Sequence, residues 1–145
     1  MAMAENRQPA MPADDLLLPF NTVRSGVTGR IVRLGAVVDT ILTRHAYPEP
    51  VSHALGEALA LTAMLGAAIK TDGKFILQTK TDGALDFLVA DYETPGKVRG
   101  YASFDKADAA LAEAKGRGDQ GVLLGGGHVA MTIDPGGDMD RYQGI

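Results

Sequence analysis

Cysteine and tryptophan are absent from the 145 residues, and aromatic side chains make up only 6% of them. Without cysteine the chain has no disulfide, no thiolate nucleophile and no zinc–thiolate site of its own. No block of like charge stands out. Fourteen basic residues stand against 18 acidic ones, a formal charge of −4, so a phosphate backbone is a poor partner. Long apolar runs are also missing: the segment Ala54–Ile69 is interrupted by Glu57, and the remainder from Ala58 falls short of the about 20 residues a membrane-spanning helix needs. The opening MAMAENRQPAMPADD lacks the apolar stretch of a secretory signal. Residues 1–14 read as a loose tail, and the expected compartment is the cytoplasm.

Hydrophobic residues at 46% and charged residues at 22% suit an ordinary globular protein. Residues 15–145 are expected to form one domain, large enough to bury about 68–70% of its unfolded surface. TGRIVRLG (Thr28 to Gly35) reads as a short strand. In AVVDTILTRH, the spacing of Val38, Ile41, Leu42 and His45 predicts a helix of about three turns, stopped by Pro48. A second helix is predicted over PEPVSHALGEALALTAMLGAAIK, with Glu49 and Lys70 complementing its dipole and Gly73 just past its end. Its apolar residues surround most of the axis, so it should be covered on more than one side.

The period then changes from helical to two. FILQTK, LDFLVADY and KVRGYASF alternate, separated by Asp82-Gly83 and Pro95-Gly96, which predicts a three-stranded antiparallel meander. Alternation within the three segments assigns Phe75, Leu77, Leu85, Phe87, Val89, Val98 and Phe104 to the core face. Ile76, Leu88 and Tyr101 then fall on the mixed face, among Gln78, Lys80, Asp86, Arg99 and Ser103. DKADAALAEAKG, capped by Asp105, predicts a peripheral helix or mobile insertion within 105–118. Val129, Met131 and Ile133 alternate in a further strand, and RYQGI reads as an interrupted one.

Gly125-Gly126-Gly127-His128-Val129-Ala130 has the G-x-G-x-x-A spacing of a dinucleotide turn. Such a turn needs a helix behind it to hold the pyrophosphate, and here a strand follows, so a glycine-rich turn is the better reading. The three histidines, His45, His53 and His128, build no metal face. His45 is expected in the last turn of a helix, His53 in the first turn of one and His128 at a strand start. Ser52 beside His53 is no triad, because helix neighbours do not face each other. The aspartates are explained by turns, a cap and open strand faces. No catalytic, cofactor or metal residue emerges, and no enzyme activity is expected.

Several strings, in order, resemble the N-terminal domain of the heat shock protein 33 family, the redox-regulated bacterial holdase chaperones. They are PFNTVRSGVTGRIVRLG, ALGEALALTAMLGAAIKTDGKFILQTKTDGALDFLVADY, VRGYASF and LLGGGHVAMTIDPGGDMDRYQGI, running from about Leu16 to Ile145. The last is the sharpest: an LLG turn, a T-I-D strand and Y-Q-G. Gly126 stands where members commonly carry Lys, and Thr28 where Arg is frequent. The resemblance implies an α+β fold, an antiparallel meander with a buried helix in a layered β/β/α arrangement. It implies an ATP-independent chaperone that holds unfolded or oxidatively damaged proteins, a homodimer, with no nucleic-acid or membrane partner. The family's zinc sits on four C-terminal cysteines in a redox module that this sequence does not contain, so no cofactor is expected on its residues. On this reading Ile76, Leu88 and Tyr101 are candidates for a client or partner surface, unless one of the protein's own helices covers them. The alternatives are a small-molecule or nucleotide domain built on Gly125–Gly127, and a scaffold that only folds and dimerises.

Overall fold

Strands β1 (Leu16–Asn21) and β2 (Thr28–Arg33) pair antiparallel, Leu16 opposite Arg33 and Asn21 opposite Thr28, as a separate two-stranded sheet. Thr22 closes the hairpin: its backbone N–H donates to the Val27 carbonyl at 2.9 Å and its hydroxyl accepts from the Val27 N–H at 2.9 Å. β2 lies where the sequence predicts a strand; β1 was not expected, because Pro19 interrupts its pattern. A two-stranded ribbon gives each strand an outer edge whose amides need no partner strand, and proline is tolerated there. The computed structural model describes residues 14–107, 110 and 123–145. The expected tail, apart from Asp14, and most of the expected 105–118 helix lie outside the described residues. At the start of that segment the Asp105 carboxylate accepts from the Ala107 N–H at 2.8 Å.

Helix α1 (Ala36–Thr43) is shorter than its spacing predicts. Its N-terminus is capped from a distance: the Asp15 carboxylate accepts from the N–H groups of Gly35 at 2.8 Å and Val37 at 3.2 Å. Arg33 and Asp14 pair at 2.8 Å beside it. His45 is not in the helix. The chain turns after Arg44, the Tyr47 N–H donates to the His45 carbonyl at 2.8 Å, and the imidazole packs between Tyr47 and Tyr101 with ring centroids 5.3 and 5.5 Å away.

Helix α2 (Glu49–Gly66) carries the core. Val51, Leu55, Leu59, Thr62 and Ala63, spaced three to four apart, are buried against the larger sheet. Each buried leucine or valine contributes about 1.5–3 kcal/mol of transfer free energy. The helix ends earlier than predicted, at a turn in which the Ala67 N–H donates to the Ala63 carbonyl, the Ala68 N–H to that of Leu65 and the Ile69 N–H to that of Gly66. Gly66 lets the helix close on the sheet: a Cβ there would lie 2.5 Å from Tyr92 Cδ1. The outer side is not fully covered, since Leu61 and Leu65 stay exposed. No helix among the described residues is long and apolar enough to cross a membrane.

The predicted meander is present as β3 (Lys74–Thr81), β4 (Phe87–Glu93) and β5 (Lys97–Ser103). β6 (Gly127–Asp134) adds antiparallel to the other side of β3, followed by β7 (Tyr142–Gly144), giving the order β5-β4-β3-β6-β7. The two helices and antiparallel sheets make an α+β fold. Three residue assignments change, those of Phe87, Leu88 and Val89. Phe75, Leu77, Leu88, Ala90, Tyr92 and Ala102 are buried on the helix side, whereas Phe87 and Val89 lie on the other face with Ile76 and Tyr101. Alternation cannot be counted through residues 82–86, which leave the ladder. There the Leu85 N–H bonds the Leu123 carbonyl at 2.8 Å, and the Leu85 side chain turns into the core.

Candidate functional site

The register of the large sheet sorts its open face into rows. Ala130, Gln78, Val89 and Tyr101 lie side by side, and Thr132, Ile76, Asp91 and Arg99 form the next row. His128, Lys80, Phe87 and Ser103 flank the first row on one end of the sheet, and Asp134, Lys74, Glu93 and Lys97 flank the second on the other. Val89 thus stands directly across from Tyr101, with Phe87 two residues along its own strand and Ile76 diagonal to it. These four form a small apolar patch between charged rows.

The charges around the patch are matched. Arg99 holds Asp91 through two contacts of 3.0 Å, which raises the guanidinium pKa further by hydrogen bonding and attraction. Glu93 lies 3.6 Å from both Lys97 and Lys74, and their attraction holds its carboxyl below the usual range. Arg141 pairs with Asp134 at 2.8 Å. Pairs of this kind, their cations reaching into solvent, add little stability, about 0–1 kcal/mol each, but they remove net charge from the face.

Of the three residues singled out from the sequence, the structure brings Ile76 and Tyr101 onto this open face and separates Leu88 from them. Tyr101 is 45% exposed and Ile76 half-buried, while Leu88 is 3% exposed beneath α2, opposite Ala102 and Thr79. Leu88 is a core residue because β4 is out of phase with the count from Leu85.

A second apolar surface was missed in the sequence. On one face of the β1–β2 hairpin Leu18 pairs with Ile31, and the Phe20 ring lies over Gly29. Leu18, Phe20 and Ile31 are 47%, 43% and 57% exposed. Alternation in LLLPF was the available signal, obscured by Pro19. The opposite face of the hairpin, with Leu17 and Val32, is less exposed.

The glycine turn has a structural task. Gly125 adopts φ +58°, the Gly126 N–H donates to Asp82 Oδ1 at 2.6 Å, and Gly127 opens β6 opposite Thr81. The amide that a phosphate would need is held by a carboxylate, and a strand follows. The histidines stay apart: His45 is ringed by tyrosines, His53 lies 3.3 Å from Glu49 on α2, and His128 is exposed on β6. No cluster of three or more His, Cys, Asp or Glu able to hold a metal occurs among the described residues.

Comparison with known proteins follows the same lines. The family model described as Hsp33 protein matches residues 15–145. A 33 kDa chaperonin of Caulobacter vibrioides is 49% identical over 133 residues, covering 91% of this chain and 44% of its own length. Another, from Pseudomonas syringae pv. syringae, is 39% identical over 134 residues, covering 92% of this chain and 43% of its own. The crystal structure of the 33 kDa chaperonin (heat shock protein 33 homolog) of Thermotoga maritima superimposes with a TM-score of 0.73 at 26% identity. That match covers 88% of this chain and 44% of the other. The chain therefore spans less than half the length of these relatives.

Proposed function

The chain belongs to the Hsp33 family, and on that footing we propose that it holds unfolded or oxidatively damaged polypeptides and keeps them from aggregating, without ATP. The observation that carries this reading is the uncovered apolar face of the hairpin, Leu18, Phe20 and Ile31. Burial of such surface is non-directional and worth about 25 cal/mol per Å², which suits a binder that must accept many sequences. The patch of Ile76, Phe87, Val89 and Tyr101 is a second, smaller contact surface whose neutralised surroundings repel neither acidic nor basic clients. The proposal is for binding rather than catalysis, by a homodimer in the cytoplasm.

The family's thiolate-held zinc does not fit the residues present, because the chain has no cysteine. A thiol switch therefore does not act through these residues, and no cofactor is proposed for them. Light scattering from a thermally unfolding test enzyme examines the reading. Added chain should suppress the scattering, and Leu18→Ser combined with Ile31→Ser should raise the amount required several-fold at an unchanged melting temperature. Absence of suppression by the unaltered chain would favour a scaffold that folds and dimerises only.

A further inference from the structure

β5 is an edge strand of the large sheet, and a cleft of about 510 Å³ runs along it. One wall is α1, through Val37 and Thr40, with Arg44 just past its end; the floor is the strand itself, Val98 to Tyr101. The direction of the strand's free hydrogen-bonding groups follows from one contact. The Ala102 N–H donates away from the sheet to the Tyr47 hydroxyl at 3.2 Å. Alternate residues of a strand turn their amides and carbonyls the same way, so those of Gly100 and Val98 also face the cleft. Tyr47 closes one end of this edge, and no other strand among the described residues pairs with the rest. Proline, a common protection for exposed edges, is absent from β5.

An open strand edge with a helix alongside is the arrangement that accepts an added strand: backbone bonds give affinity and the flanking side chains choose the sequence. Charge decides which sequence. Asp15, the carboxylate lining the cleft, is engaged by the Gly35 and Val37 N–H groups, and Arg99 by Asp91. Arg44 has no ion-pair partner among the described residues, so the cleft offers an uncommitted guanidinium. We infer that the β5–α1 cleft binds an extended acidic polypeptide segment as an additional antiparallel or parallel strand, with Arg44 receiving one of its carboxylates. The inference rests on the polypeptide-binding reading above and gives it a second site of different chemistry, directional where the hairpin face is not.

The probe is a fluorescein-labelled octapeptide alternating valine and glutamate, titrated against the full chain by anisotropy, with amide chemical shifts followed in parallel. Binding with shifts at Val98 and Gly100 is expected. N-methylation of the peptide amides that face β5 should weaken it about tenfold, the loss of one or two net hydrogen bonds. Arg44→Glu should weaken it at least fivefold with an unchanged melting temperature. Equal binding of the N-methylated peptide, equal binding of a valine–lysine peptide, or shifts confined to the hairpin would each overturn the inference. So would a second copy occupying this edge, seen in sedimentation as a dimer that the peptide does not dissociate. Suppressed aggregation without peptide binding removes this site and leaves the chaperone reading intact; peptide binding without suppression does the reverse.

Discussion

The Asp82 carboxylate accepts a 2.6 Å hydrogen bond from the Gly126 backbone N–H, across 44 residues of chain. Through it the loop leaving β3 is tied to the turn that enters β6. The two neighbouring glycines answer to it differently. A Cβ on Gly125 would sit 2.5 Å from Asp82 Oδ1 at a φ of +58°, whereas one on Gly126 would sit at an ordinary 3.5 Å.

Gly125→Ala should therefore destabilise the fold by at least the roughly 1–2 kcal/mol of a left-handed non-glycine residue. Gly126→Lys should change stability by no more than about 0.5 kcal/mol, with its amine free to reach Asp82. Urea denaturation of the two variants measures both.

The face assignment has an energetic signature. Leu88→Ala should cost about 2–5 kcal/mol, as truncation in a packed core does. Tyr101→Ser, which loses mainly an edge contact with His45, should cost about 1 kcal/mol or less. Comparable losses at the two positions would place Leu88 outside the core.

Thr62 is wholly buried in α2, and its hydroxyl has no hydrogen-bond partner among the described residues. An unsatisfied buried group costs about 1–3 kcal/mol, and valine keeps the shape without the hydroxyl. Thr62→Val is expected to raise the melting temperature by about 2–4 °C for each kcal/mol recovered, read by calorimetry.

Glu93 gives the fold an acid-sensitive contribution. Attraction to Lys97 and then Lys74 lowers its pKa, so the stabilisation is present above the usual carboxylate pKa and is lost as pH falls through the folded-state value. Melting temperatures of the unaltered chain should fall more steeply on acidification than those of Glu93→Gln, and the curves should converge at low pH. High salt should flatten the difference, because the carboxylate is partly exposed and its lysines reach into solvent.

The meander, the buried helix and the strand behind the glycine turn were legible because each rests on local periodicity. Errors arose where tertiary packing overrode it. Phe87 and Leu88 exchanged faces because Leu85 leaves the ladder to bond Leu123, a partner no local pattern reveals. His45 left its helix for a place between two tyrosines, one of them on a distant strand. Pro19 concealed β1, and with it the apolar hairpin face, since proline speaks against a strand unless an outer edge is known to exist. For the surface residues, Ile76 and Tyr101 came out together because both lie in uninterrupted strands.

The place of β6 in the large sheet bears on how the chain comes into being. β3 has β4 on one side as soon as the meander is made, but its other side pairs with β6 from Lys74↔Asp134 to Thr81↔Gly127. On a ribosome that synthesises about 5–20 residues per second, β3 waits several seconds as an open edge before residues 127–134 emerge. Pairings of such long sequence separation also close slowly. A newborn copy thus displays, for that interval, the kind of unpaired strand that the finished protein is proposed to shelter in others.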